Sequence, residues 1–291
     1  MHGWEYWFKI QLVPASGRQI TVNPRGCRMK RRACVVCETN EFAQQYCHLQ
    51  DQDYLRCDSC GLIYVDRLLK PEELYKAYSG NSFKSLRRKL TAPFRKFSWS
   101  KSFDKSMRRA RGIFEFGQKQ VTAGGEKRRY MDIGCNKGFL LATAHKHGWD
   151  VYGIELVREL IRPFINSYPQ YSKQVFSERF EDAKENVEKA SFDLITAIDV
   201  VEHFEDVSGD LQGIYELIKP GGVFLIQTPD TACERAEREK CGWGALKPLE
   251  HLHLFNCENF TSLAKRAGFS KIECFAPFEE ADGNFVAVLR K

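Results

Sequence analysis

The sequence predicts a doubly wound α/β domain with a small cysteine-rich module at its N-terminal end. Three observations carry this. From Arg129 onward, short apolar runs alternate with amphipathic stretches, as a parallel sheet with crossover helices requires. The first of these runs passes straight into a glycine-containing turn, Gly134 to Gly138. Two Cys-x2-Cys pairs, Cys34/Cys37 and Cys57/Cys60, stand well upstream of it.

The predicted strands are Tyr130 to Ile133, Asp150 to Ile154, Lys173 to Phe176, Phe192 to Ile198, Gly222 to Gln227, Lys271 to Ala276 and Asn284 to Leu289. The clearest helices between them are Gly138 to His147, Asp206 to Lys219 and Glu258 to Ala267. Asn256 is placed to cap the last helix, and Gly268 to end it in the left-handed conformation. Four units follow along the chain: an extension over residues 1–28, a cysteine module over 29–66, a basic helical linker over 67–128 and the main domain over 129–291. Lys70 to Tyr78 is expected to form a short helix leaving the module, with Pro71 in its first turn.

The 291 residues are 43% hydrophobic and 28% charged, which is the composition of an ordinary globular chain able to bury a core. No run approaches the ~20 apolar residues that span a bilayer. The first thirty residues lack a secretory apolar stretch, so a cytoplasmic protein with no membrane partner is expected. The formal charge of +6 divides unevenly: residues 1–130 hold 26 Lys+Arg against 12 Asp+Glu, and residues 131–291 hold 18 against 26. Lys84 to Arg111 alone carries eleven basic residues and one acid, interleaved with Phe94, Phe97, Trp99 and Phe103. A helical linker with packed aromatics and a solvated basic face is expected for this segment, and binding of a phosphorylated or nucleic-acid partner is the alternative.

Cys34/Cys37 and Cys57/Cys60 are separated by nineteen residues, which suits two knuckles giving four thiolates to one tetrahedral Zn²⁺. Four thiolates leave no open position, so the expected role is structural, with the metal supplying much of the module's folding free energy. Cys47-His48 lies in the intervening loop and could offer a ligand, but a closed four-cysteine site leaves it no vacancy. Cys27, Cys135, Cys233, Cys241, Cys257 and Cys274 have no paired spacing and are expected to be packing residues or spare thiols.

In Tyr130-Met-Asp132-Ile-Gly134-Cys-Asn-Lys-Gly138, an acid at the strand end repels a pyrophosphate but suits a cofactor bearing an ammonium and a sulfonium. Glu155 closes the next strand seventeen residues beyond Gly138, placed to accept from ribose hydroxyls. Asp132, Gly134, Gly138 and Glu155 in this order resemble the first two motifs of class I S-adenosylmethionine-dependent methyltransferases. Phe192-Asp-Leu-Ile-Thr-Ala-Ile-Asp199-Val-Val-Glu202-His203 and Ile218-Lys-Pro-Gly-Gly222 resemble the family's fourth strand and the turn into its fifth. The resemblance covers residues 129–291 and departs from the common pattern at Asn136, where many relatives carry glycine. It implies a seven-stranded Rossmann-like sheet of order 3-2-1-4-5-7-6, an S-adenosyl-L-methionine cofactor held at Asp132, Gly134, Gly138, Glu155 and Asp199, and a small-molecule substrate.

Methyl transfer to an activated carbon needs the acceptor oriented and its proton removed. Glu250-His251-Leu-His253 resembles the Glu-His segment of small-molecule methyltransferases, including zinc-module C-methyltransferases of nucleotide-linked deoxysugars. That resemblance makes His251 the expected base, with Glu250 orienting it or the substrate. Asp199-x-x-Glu202-His203 also resembles a segment that ubiquinone-pathway O-methyltransferases associate with a divalent cation; here a cofactor-lining or structural role is expected. An RNA methyltransferase and a non-catalytic cofactor-binding protein are the competing readings.

Overall fold

A computed structural model describes residues 31–70, 101–122, 127–278 and 283–291. The expected extension, the helix beyond Lys70 and the linker up to residue 100 lie outside these.

The chain forms β1 (Ala43–Leu49), β2 (Gln52–Cys57), β3 (Ile63–Val65), α1 (Lys101–Gln120), β4 (Arg129–Ile133), α2 (Phe139–Lys146), β5 (Asp150–Ile154), α3 (Arg158–Ser167), β6 (Val175–Phe176), α4 (Phe180–Ala183) and β7 (Phe192–Ile198). It continues through α5 (Val207–Leu217), β8 (Ile218–Pro229), α6 (Glu234–Glu239), β9 (His253–Leu254), α7 (Cys257–Arg266), β10 (Lys271–Phe275) and β11 (Asn284–Arg290).

Seven strands make one sheet in the order β10-β11-β8-β7-β4-β5-β6, the order expected from the resemblance. β11 runs antiparallel between β10 and β8, and β4 to β8 are mutually parallel. Side chains alternate across the pleat. On one face Phe224, Ile226, Ala287 and Leu289 join Leu211 and Ile214 of α5 and Phe260 and Leu263 of α7. On the other, Val223, Leu225, Val286 and Val288 pack with Ile113 and Phe114 of α1 and Leu141 of α2. α1 thus belongs to the main domain, its apolar stripe seated on the sheet.

Asn256 caps α7 in a reciprocal box with Asn259, and Gly268 follows that helix at φ 109°. β8 is longer than expected, because pairing with β7 already begins at Ile218.

The cysteine module is not a free-standing unit. β9, from the far end of the chain, pairs antiparallel with β3 and completes a four-stranded sheet β1-β2-β3-β9. Leu55, Leu62 and Tyr64 share one core with α5, α7 and the large sheet. Arg266 of α7 donates to the carbonyls of Val35 and Val36 in the first knuckle, and Asn259 donates to the Cys60 carbonyl in the second.

Two disulfides correct the expectation of spare thiols: Cys47 is bonded to Cys241 and Cys257 to Cys274. Spacing rules look for near neighbours along the chain. Cys47 and Cys241 are 194 residues apart and meet where β1 packs against the turn that carries Cys241. Cys135 and Cys233 remain thiols. Among the described residues, no helix is long and apolar enough to cross a membrane.

Candidate functional site

The chain proceeds from β4 outward to β5 and β6 on one side and restarts at β7 on the other, so the topological switch lies between β4 and β7. Ligands of open α/β sheets bind beyond the strand ends at that point. There the turn from β4 to α2 takes left-handed φ at Gly134 (73°), Asn136 (48°) and Gly138 (74°). A Cβ on Gly134 would lie 2.5 Å from Val200 Cγ2, and one on Gly138 2.7 Å from Phe164 Cβ. Glycine is therefore needed for the packing of the turn itself. Asparagine is the side-chain-bearing residue best suited to the left-handed region, which explains how Asn136 substitutes for glycine.

Glu155, one residue past β5, is held by two backbone amides: Asn136 N–H donates to Oε2 and Val157 N–H to Oε1, each at 2.9 Å. Its carboxylate is thereby fixed beside the glycine turn, although burial raises its proton affinity. Asp132 is deeper. Thr196 Oγ1 donates to its Oδ1 at 2.6 Å, Tyr130 OH lies 2.6 Å from the same hydroxyl, and burial pushes the Asp132 carboxyl up to about 7. The left-handed turn and the acid preset at the next strand end are the residues that could hold an adenosyl cofactor.

Asp199, at φ 58° just past β7, is bound from three sides. Arg109 Nη2 of α1 reaches Oδ2 at 3.1 Å, while Gln227 and Asn284 donate to Oδ1 at 3.3 and 3.1 Å. Phe103, on the same helix as Arg109, packs edge-on against Phe139, the first residue of α2, with ring centroids 5.4 Å apart. α1 therefore spans the switch point from the glycine turn to the end of β7. Arg109 was hidden from sequence reasoning among the many basic residues of its stretch, of which nothing local marks the one that meets Asp199.

Beside this lies a trio, buried Glu202 and His251 with His203 at the surface, each with a ligand-capable atom within 4.8 Å of the others. Glu202 and His203 belong to the short turn after β7, and His251 comes from the segment entering β9. The two imidazole centroids are 4.8 Å apart at 80°. His203 Nδ1 faces the Glu250 carbonyl at 2.7 Å, and His251 Nδ1 faces the Ala245 carbonyl at 2.8 Å. A carbonyl only accepts, so both Nδ1 atoms carry the proton and both Nε2 atoms present a lone pair. Burial pushes His251 down to about 3, helped by His203 and Lys247, and burial also lowers His203. Both rings are neutral at pH 7. Glu202 accepts from Thr228 Oγ1 at 2.9 Å, and burial pushes its carboxyl up to about 8.

The candidate residues are thus only partly brought together. The carboxylate gathered with His251 belongs to Glu202, and the residue that orients the His251 ring is Ala245, through its carbonyl. Glu250 contributes its backbone oxygen to His203. A main-chain acceptor leaves no trace in the side-chain sequence, which is why this arrangement was not foreseen.

Cys34, Cys37, Cys57 and Cys60 come together, with all four sulfurs within 4.8 Å of one another. Cys34 Sγ to Cys60 Sγ is 3.5 Å and Cys57 Sγ to Cys37 Sγ is 3.7 Å. Tetrahedral zinc with Zn–S bonds of about 2.3 Å sets its sulfurs about 3.8 Å apart, so the cluster fits that ion.

Sheet order, glycine turn and acid placement define a class I, S-adenosylmethionine-dependent methyltransferase fold. The chain belongs to the methyltransferase domain family, whose model matches residues 104–273. Among curated proteins, it is 30% identical over 110 residues to a ubiquinone biosynthesis O-methyltransferase of Ralstonia nicotianae, covering 38% of this chain and 46% of the relative. A Coxiella burnetii protein of the same name is 30% identical over 112 residues, covering 38% and 47%. The chain thus spans about half the length of the curated relatives it matches. Among solved structures, an Archaeoglobus fulgidus SAM-dependent methyltransferase superposes with a TM-score of 0.50 at 12% identity, covering 64% of this chain and 94% of the other. A chain from the complex of the Haloferax volcanii Trm112 methyltransferase activator with a methyltransferase gives 0.50 at 14% identity, covering 65% and 94%. These superpositions establish the fold.

Proposed function

We propose that this chain transfers a methyl group from S-adenosyl-L-methionine to a small-molecule acceptor, a sugar or related metabolite, with His251 taking the acceptor's proton. The observation that carries the reading is the His251 ring: neutral, its Nδ1–H held by Ala245 so that the lone pair is on Nε2, and gathered with Glu202 and His203 beside the glycine turn. The cofactor would be held by the Gly134–Gly138 turn and by Glu155. Val200 packs against Gly134, so the loop bearing Glu202 and His203 adjoins that turn. The cofactor supplies a methyl group already activated by the sulfonium; the protein's task is to align the acceptor and receive its proton at Nε2. Glu202, largely protonated at neutral pH, is a hydrogen-bond donor for an acceptor oxygen. The four cysteines hold a structural zinc ion.

Calorimetry with S-adenosylmethionine on the parent, Gly134→Arg and Glu155→Ala tests the cofactor site, with zinc assayed on the same material. Binding lost in both variants supports the reading, and a well-folded, zinc-loaded parent that does not bind refutes it. Transfer of labelled methyl from S-adenosylmethionine into a fractionated metabolite extract, abolished by His251→Gln, then locates the acceptor.

A further inference from the structure

We infer that the cysteine module is the positioning element for His251, and that Tyr54 of β2 is its positioning residue. This rests on the reading of His251 as the proton acceptor.

The orientation of the His251 ring depends on one hydrogen bond, from Nδ1 to the Ala245 carbonyl. The module holds both ends of that bond. At the imidazole end, Tyr54 OH donates to the backbone carbonyl of His251 itself at 2.8 Å. Tyr54 is fully buried and sits on the strand that ends at Cys57, one of the four clustered cysteines. At the acceptor end, Cys47 of β1 is bonded to Cys241, four residues before Ala245. Trp243 and Leu246, flanking Ala245, share a buried cluster with Cys47, Tyr54, Ile63 and Val65 of the module.

The chain beyond His251 is held in the same way. Val65 N–H donates to the Leu252 carbonyl at 3.1 Å, and β3 pairs with β9 through Ile63 with Leu254 and Tyr64 with His253. On the opposite side, Leu252 N–H donates to the Glu202 carbonyl at 2.8 Å. The segment carrying His251 is therefore clamped between the module and the loop that carries the rest of the trio. Main-chain anchoring on both sides of a ring fixes its tautomer and direction, as supporting hydrogen bonds do for metal-ligating and catalytic histidines. A module whose only task was to add bulk would not need to bond the main chain of this residue.

The test is nitrogen-15 spectroscopy of the histidine rings in the zinc-loaded, full-length chain, comparing the parent with Tyr54→Phe and Cys241→Ala, and assigning His251 with His251→Gln. No acceptor is required. Tyr54→Phe keeps the buried ring and removes one hydroxyl, and Cys241 lies in an exposed turn, so the two variants reach the same bond by different routes. In both, His251 should pass from a single Nδ1–H form to an exchanging mixture, and the Leu252 amide should exchange about tenfold faster. Affinity for S-adenosylmethionine and zinc content should stay at the parent values. His251 signals unchanged in both variants would overturn the inference, as would a matching loss of cofactor binding, which marks general unfolding. Should His251→Gln transfer methyl at the parent rate while Tyr54→Phe still disorders the ring, the proton-acceptor reading falls and the positioning relationship stands.

Discussion

Arg109 of α1 and Asp199 beyond β7 form an ion pair, Nη2 to Oδ2 at 3.1 Å, across the switch point of the sheet. Both side chains are partly exposed, so the pair is worth roughly 0.2–1 kcal/mol and its role is chiefly geometric. Arg109→Gln should lower the melting temperature by no more than about 3 °C. It should also speed amide exchange in α1 while β4 and β7 keep parent protection. Equal exchange throughout α1 in the two proteins would show that packing alone holds the helix down.

Gly134 makes a second test of the cofactor turn. Its φ of 73° disfavours any side chain, and a Cβ there would lie 2.5 Å from Val200 Cγ2. Gly134→Ala should therefore cost about 2–4 kcal/mol, from left-handed strain and overpacking together. Adding Val200→Ala should recover the overpacking part and leave about 1 kcal/mol of backbone strain. Denaturant melts of the four proteins give the coupling energy, and strict additivity would refute the proposed clash.

The large sheet was legible because its strands carry their own signals. Phe192 to Ile198 is apolar except at Asp193 and Thr196 and buried at every position but Ile198, as in a strand covered on both faces, and the Asn256 cap and Gly268 stop are local in sequence. The left-handed turn at Gly134 and Gly138 could be read for the same reason. What could not be read depends on distant partners. The bond from Tyr54 to His251 O joins residues 197 positions apart, the one from His251 to Ala245 ends on a main-chain oxygen, and the Cys47–Cys241 bond joins residues 194 apart. Spacing arguments find clusters such as Cys34/Cys37/Cys57/Cys60, whose geometry is mostly local. They miss the trio, because Glu202 and His251 come from separate loops.

The buried acids make stability depend on pH in a predictable sense. Glu202 has its carboxyl raised from 4.5 to about 8, so its contribution is full below about pH 4.5 and is lost as pH rises through 8. His251 is lowered from 6.5 to about 3, so its contribution is present above 6.5 and lost on acidification. The two oppose each other in acid. Between about pH 6.5 and 8 His251 no longer titrates, and Glu202 should take up to about 1.4 kcal/mol per pH unit from the cofactor-free protein, added to losses of the same sense from Asp132, raised to about 7, and Asp210, raised to about 8. Glu202→Gln should remove its share and leave a shallower slope. Melting curves across the interval that run parallel in parent and variant would exclude a protonated Glu202.

Metal removal should reach the main domain through shared core. Four cysteine sulfurs within 4.8 Å of one another are mutually repulsive as thiolates, and Leu55, Leu62 and Tyr64 lie in the same cluster as Ile214, Phe260 and Leu263. Stripping zinc with a strong chelator should therefore unpair β3 from β9 and lower the melting temperature by about 10 °C or more, given the large binding free energy of such sites. Re-addition of zinc should restore it, and Cys60→Ala should behave like the stripped parent and not respond to the ion. Because the glycine turn and Glu155 lie on the large sheet and contact none of these cysteines, S-adenosylmethionine should still bind below the new transition. Stripped protein that melts at the parent temperature would mean that the four thiols pack without a metal, and stripped protein that no longer binds the cofactor would mean that the module supports the switch point as well as the His251 segment.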